Sequence, residues 1–160
     1  MDGREATYEL NLSRIFDAEP RAVCRAFIEP DLLAAWFARV GWLMPPEYAE
    51  IDPRPGGRLQ YVQVSIGDPT LRRTEAAEFT DVHQDRLLAW TKERSEDAMA
   101  VGAAPIRTVR VEFVAEPHRH TRLELREGPF SAARESDARE CWNAAFGRLD
   151  AVLAEMKVGR

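Results

Sequence analysis

Pro30-Asp31-Leu32-Leu33-Ala34-Ala35-Trp36 is the stretch from which the fold can be read. Pro30 ends whatever helix precedes it, because its ring disfavours helical geometry in the residue before it and it has no N–H to donate. Asp31 is suited to cap a new short helix, on which Leu32, Leu33, Trp36 and Phe37 present apolar side chains. Upstream, Asp17-Ala18-Glu19-Pro20 opens an earlier helix, with Pro20 in the first turn where a missing N–H costs nothing. Val23 and Phe27 lie one turn apart on its face. Earlier still, Tyr8, Leu10 and Leu12 alternate with Glu9, Asn11 and Ser13, the period of a half-buried strand. A strand followed by two short helices in a V is therefore predicted.

Downstream, residues 39–46 read as a loop whose tip carries Trp42 and Met44, and Glu47 to Ile51 as a brief strand. Asp52-Pro53-Arg54-Pro55-Gly56-Gly57 is turn chemistry, in which prolines fix φ and one of the two glycines supplies a positive φ. Strands are predicted at Leu59–Ile66, Arg72–Val82 and Leu87–Lys92, and a loop at Ser95–Pro105. Val109, Val111 and Phe113 alternate with polar residues, as do Thr121, Leu123 and Leu125 after the turn at residues 116–120, which gives an antiparallel hairpin with one wet face. The period then changes. Ala138, Trp142, Ala145, Leu149, Val152 and Met156 recur at intervals of three and four, the broad apolar face of a helix. Ser136 or Ser131 can cap it, and Lys157 and Gly159 suit its end. Its span from Ala138 to Met156 is about 28 Å, enough to cross a sheet. The order describes an α+β chain, a curved antiparallel sheet wrapped around a long C-terminal helix.

A chain of 160 residues fits one domain, read here as residues 1–160 with a core of about 7–157. The net charge of −5 and the dispersal of arginines among carboxylates argue against nucleic acid as a partner. Cys24 and Cys141, the only cysteines, both fall in apolar helical patterns and read as reduced core thiols. No signal-peptide pattern opens the sequence and no segment reaches membrane-spanning length, so a cytosolic protein without membrane attachment is expected.

With these pieces in order, the chain resembles the START-like superfamily, also called SRPBCC or Bet v-like, whose layout is the helix grip. Within it the likeness is to the group of homologues of the activator of heat-shock-protein ATPase (AHSA-like), over about Leu10 to Leu153. That group's "Pro-Glu-x-Leu-x-x-Trp" phrase reads here as Pro30 to Trp36, and its "Arg-Pro-Gly-Gly" turn stands intact at Arg54 to Gly57. Its "Gly-Thr-x-Leu-x-Leu" strand appears as His120 to Leu125, and its "Gly-Trp-x-x-x-Leu-x-x-Leu" helix as Cys141-Trp142 to Leu149. Cys141 and His120 stand where the family has glycine, and Trp90 comes one residue early. A shift of one residue puts Trp90 on the opposite sheet face unless a bulge absorbs it.

The resemblance implies a cavity between sheet and helix. Parity places Leu59, Tyr61 and Gln63 on one strand face and Thr121, Leu123, Leu125 and Glu127 on another. If those faces meet the helix, Trp36, Tyr61, Trp142 and Phe146 line a pocket with Gln63 and Glu127 as its polar points; the bland alternative is a filled core. His118 and His120 share a strand parity that a metal pair needs, without a third ligand, and a solvated hairpin tip explains them better. Arg54 either meets an anion at the pocket mouth or holds its own turn. No hydrolase, P-loop, zinc-protease or dinucleotide signature is present, and no cofactor is expected. The leading expectation is non-catalytic binding of a small hydrophobic or amphipathic molecule. The rivals are a cyclase- or aromatase-like enzyme using the same cavity, with Glu127 as its ionisable group, and a chaperone-directed interaction module using an apolar patch at Trp42, Leu43 and Met44.

Overall fold

Alternating burial along Tyr8–Phe16 forms β1, with Leu10 and Phe16 fully buried on its inner face. The computed structural model describes residues 6–92 and 106–158. Two helices follow, α1 at Pro20–Ile28 and α2 at Pro30–Ala34, each with proline in its first turn. The cap of α2 is Glu29, not Asp31, because Pro30 itself occupies the first helical position and moves Asp31 inside the turn. The quoted stretch is a structural clamp. Leu33 and Trp36 are buried, the Trp36 indole N–H donates to the Ala26 carbonyl at 3.0 Å, and its ring meets Phe27 edge-on at 4.8 Å.

The segment expected to be loop and then strand is broken differently. Trp42–Leu43 forms a two-residue strand, β2, a single 3-10 turn covers Pro46–Tyr48, and only Glu50–Ile51 is extended as β3. Pro45 and Pro46 supply the reason, since neither can donate to a ladder. Then come β4 at Arg58–Ser65, β5 at Arg72–His83, β6 at Leu87–Lys92, β7 at Thr108–Glu116 and β8 at His120–Phe130. The predicted loop at Ser95–Pro105 and the role given to Gly159 lie outside the described residues. The strands form an eight-stranded sheet in the order β1-β8-β7-β6-β5-β4-β2, with β3 also on β4, and every pairing is antiparallel.

The chain closes with α3, Ala132–Val158, gripped by the curved sheet. It starts six residues before the predicted Ala138: Ser131, one of the two candidate caps, accepts from the Arg134 N–H through its hydroxyl. Trp142, Ala145, Phe146, Leu149, Val152 and Leu153 are buried, so the helix meets the core only over its C-terminal two-thirds. Among the described residues no helix is long and apolar enough to cross a membrane.

Trp90 faces the core, 3% exposed, beside Phe79. The register of β5 against β6 shifts between Phe79 and Asp81, and that bulge restores the face that the one-residue offset would have reversed. Cys24 is buried, and burial pushes its thiol up. Cys141 is exposed, contrary to the expectation of a core thiol, because it precedes Trp142, the first buried residue of α3.

Candidate functional site

Inner-face parity carries the sheet from apolar to polar at one end. On β4 the buried series Leu59, Tyr61, Gln63 turns polar as it proceeds. On β5, Phe79 and Ala77 give way to Glu75 and Arg73, and these stand opposite Tyr61 and Gln63 in the ladder. Leu88 and Trp90 lead to Lys92, Val111 and Val109 to Arg107, and Leu125 to Glu127. The N-terminal turns of α3 pass over this polar end, where the helix stands away from the sheet. Between them is a cavity of about 480 Å³.

The described residues lining it from the helix are Arg134, Asp137, Ala138, Cys141, Trp142 and Ala145, a single face at intervals of three and four. Phe37, Phe130, Trp142 and Ala145 supply apolar wall, and charged side chains supply much of the rest. Phe37 meets Tyr61 at 5.4 Å and Trp142 at 5.7 Å, both edge-on, so these rings brace one another.

Glu127 is the buried centre of this polar end, 2% exposed. Its Oε1 accepts from the Trp142 indole N–H at 2.8 Å and its Oε2 from Lys92 Nζ at 2.9 Å, with Arg107 Nε at 3.6 Å. Lys92 and Arg107 face each other across β6 and β7, where the Lys92 N–H donates to the Arg107 carbonyl. Gln63, 6% exposed, accepts from the Arg39 N–H at 3.1 Å and thereby fixes the chain after α2. Arg148 ties the same segment to α3 by donating to the carbonyls of Trp36 at 3.1 Å and Ala38 at 2.6 Å. The Tyr61 hydroxyl is pushed far above the ordinary phenol range by burial first and then by the carboxylates of Glu75 and Glu127, so it stays a donor.

Of the six residues expected around a pocket, Tyr61, Gln63, Glu127 and Trp142 come together on this wall. Trp36 and Phe146 lie one layer deeper, at 0% and 1% exposure, packed on each other at 6.4 Å within the core. Phe37 and Arg39, just past the quoted stretch, take the rim instead. Lys92, Arg107, Arg73 and Glu75 were not anticipated. The signal was present: the alternation that placed Tyr61 and Glu127 runs on unbroken to these four.

Arg54 lies apart from the cavity, its guanidinium held by the Asp52 carboxylate at 2.6 Å. His118 sits in the turn with φ of 63°, and its carbonyl contacts His120 Nδ1 at 3.0 Å, so the two rings do not share a strand face. Among the described residues no three His, Cys, Asp or Glu side chains gather as a metal group.

Replacing Trp142 by Phe tests the buried pair directly. Removing the N–H that Glu127 accepts should cost roughly 1.5–3 kcal/mol, the range for a hydrogen bond to a charged group. Urea unfolding at constant m-value measures it.

The family of activator of Hsp90 ATPase homolog 1-like proteins matches residues 17–154, which takes in every element from α1 to most of α3. The chain belongs to this AHSA1-like family. Its fold is the SRPBCC, Bet v1-like helix grip, shared with a Nitrosomonas europaea protein at a TM-score of 0.76 and 22% identity, over 94% of this chain and 96% of that one. A Chromobacterium violaceum protein superposes at 0.78 with 17% identity, over 91% and 96%. The AHSA1-like protein of Aeromonas hydrophila superposes at 0.75 with 18% identity, over 94% of each chain. At such identities the likeness concerns the fold. No curated protein matches the chain. An AHSA1-like SRPBCC fold suggests ligand binding or regulation.

Proposed function

We propose that this AHSA1-like protein binds a small amphipathic molecule, without turnover, in the cavity between the sheet and the first turns of α3. The observation that carries the reading is an open space of about 480 Å³ walled by Phe37, Phe130 and Trp142 on one side and by fixed polar groups on the other. That size falls within the range of small-molecule sites, and rings braced at both edges offer apolar area without needing to be ordered on binding. Glu127 supports binding over catalysis. Both of its oxygens are taken by Trp142 and Lys92, which commits the best-buried carboxylate to holding its neighbours instead of exchanging a proton with a substrate. We place the protein in the cytosol, the compartment in which free thiols such as Cys24 and Cys141 persist.

Ala138 faces the cavity and is only partly buried, so Ala138→Trp should fill the space while leaving the fold intact. Titration of an apolar fluorophore should then give at least about tenfold weaker binding than the parent, a loss of roughly 1.4 kcal/mol. Equal affinity in the two proteins would place the probe elsewhere and remove the reading. A second reading, a regulatory contact with a protein such as a chaperone, is favoured by Val40, Leu43, Ile66 and Leu71, which are exposed where β2 edges the sheet. Met44 takes no part in such a patch, being 3% exposed. Leu43→Glu should abolish partner capture and spare fluorophore binding if that reading holds.

A further inference from the structure

Resting on the cavity reading above, we infer that the ligand is an amphipathic anion, a carboxylate or sulfonate head on an apolar body, with the head seated at Lys92 and Arg107. The chain as a whole carries a net charge of −5. Its cavity runs the other way. Among the described residues it gathers five cationic side chains, Arg39, Arg73, Lys92, Arg107 and Arg134, against three carboxylates.

The pairing within that set leaves positive charge over. Glu127 is one carboxylate shared by two cations, Lys92 at 2.9 Å and Arg107 at 3.6 Å, while its other oxygen is occupied by Trp142. The buried anion therefore holds the two cations in place without cancelling both. Arg107 is oriented further by its guanidinium lying 4.9 Å over the Phe130 ring. The Lys92 and Arg107 side chains are 30% and 28% exposed, so the excess charge sits at the cavity surface, where solvent screens it less than on open surface. Arg134 makes no side-chain hydrogen bond or ion pair with the described residues, and neither does the Tyr61 hydroxyl, a donor that burial keeps protonated. A neutral hydrophobe entering here would cover cations without compensating them, and a cation would be repelled. An anion supplies the missing charge while its body packs on Phe37, Phe130 and Trp142.

The test uses the full chain, labelled with nitrogen-15 and titrated with decanoate and, separately, decanol, at low and at physiological ionic strength. The Trp142 indole N–H resonance reports occupancy next to Glu127. Decanoate should bind at least about tenfold tighter than decanol, and its advantage should shrink as salt rises. Arg107→Gln leaves the Lys92–Glu127 bond in place, and Arg134→Gln removes a side chain with no described partner. Each should weaken decanoate several-fold and leave decanol no weaker than in the parent, so that the gap between the two probes narrows. Equal binding of the two probes, or tighter decanol, overturns the anion inference and keeps the cavity reading. No movement of the Trp142 resonance with either probe overturns both. If Arg107→Gln fails to fold, Arg134→Gln and the salt dependence of the parent still decide.

Discussion

Leu149→Asp is expected to give no cooperatively folded protein. Leu149 is fully buried at the centre of the α3 face, in the cluster that joins that helix to the inner sheet. The substitution removes a packed aliphatic side chain and leaves a carboxylate without a partner in its place. A cost of about 4 kcal/mol or more follows, against a total stability of roughly 5–15 kcal/mol for a domain of this kind. Circular dichroism and a thermal melt read the outcome. A sharp melt near that of the parent would mean that α3 is not held by the sheet, and the helix-grip account would fall with it.

Gly57→Ala should be the most damaging substitution in the turn before β4, ahead of Gly56→Ala. Gly56 has φ of 83°, yet a Cβ there meets only the end of Glu78 at 4.0 Å. Alanine at Gly56 therefore pays a left-handed backbone strain of about 1 kcal/mol, partly offset by the reduced freedom of the unfolded chain. At Gly57 the added Cβ would lie 2.0 Å from the Asp52 carbonyl oxygen, a backbone atom that cannot swing aside. The turn must open, and with it the bonds from the Gly56 N–H to the Phe79 carbonyl and from the Phe79 N–H to the Gly57 carbonyl, at 2.8 and 2.9 Å. A loss of about 2–3 kcal/mol is expected in urea. A Gly57→Ala midpoint equal to the parent's would show that this close approach does not exist in solution.

The glycine pair illustrates what the sequence carries and what it withholds. Turn chemistry alone located the reversal and the need for a positive φ, which Gly56 meets. It could not reveal that its neighbour is fixed by proximity instead, since the Asp52 carbonyl reaches Gly57 only once the turn has closed. The same holds for the site. Period-two alternation brought Tyr61, Gln63 and Glu127 to the inner face, and period 3.6 brought Trp142 to meet them, because parity is a local property. Depth is not local. Phe146 shares the α3 face with Trp142, and Trp36 follows just after α2, yet both sit in the core, since which layer an aromatic occupies depends on how far the elements stand from one another. Trp90 was undecidable for a related reason: its facing depends on a bulge in the neighbouring β5, which its own strand does not record. Lys92 and Arg107 continue the inner-face parity of Trp90 and Val109, but a polar residue beside a polar neighbour in a strand carries no contrast that would mark its face.

The most direct measurement of the central claim is native mass spectrometry of the freshly purified full chain, compared with the same sample denatured. A cavity that binds a small amphipathic anion should retain one across gentle purification. The native spectrum should then show a discrete added mass that denaturation releases and that negative-ion detection identifies as an acid. Ala138→Trp should lack it. A native mass equal to that of the bare polypeptide, unchanged after incubation with decanoate, would contradict the account.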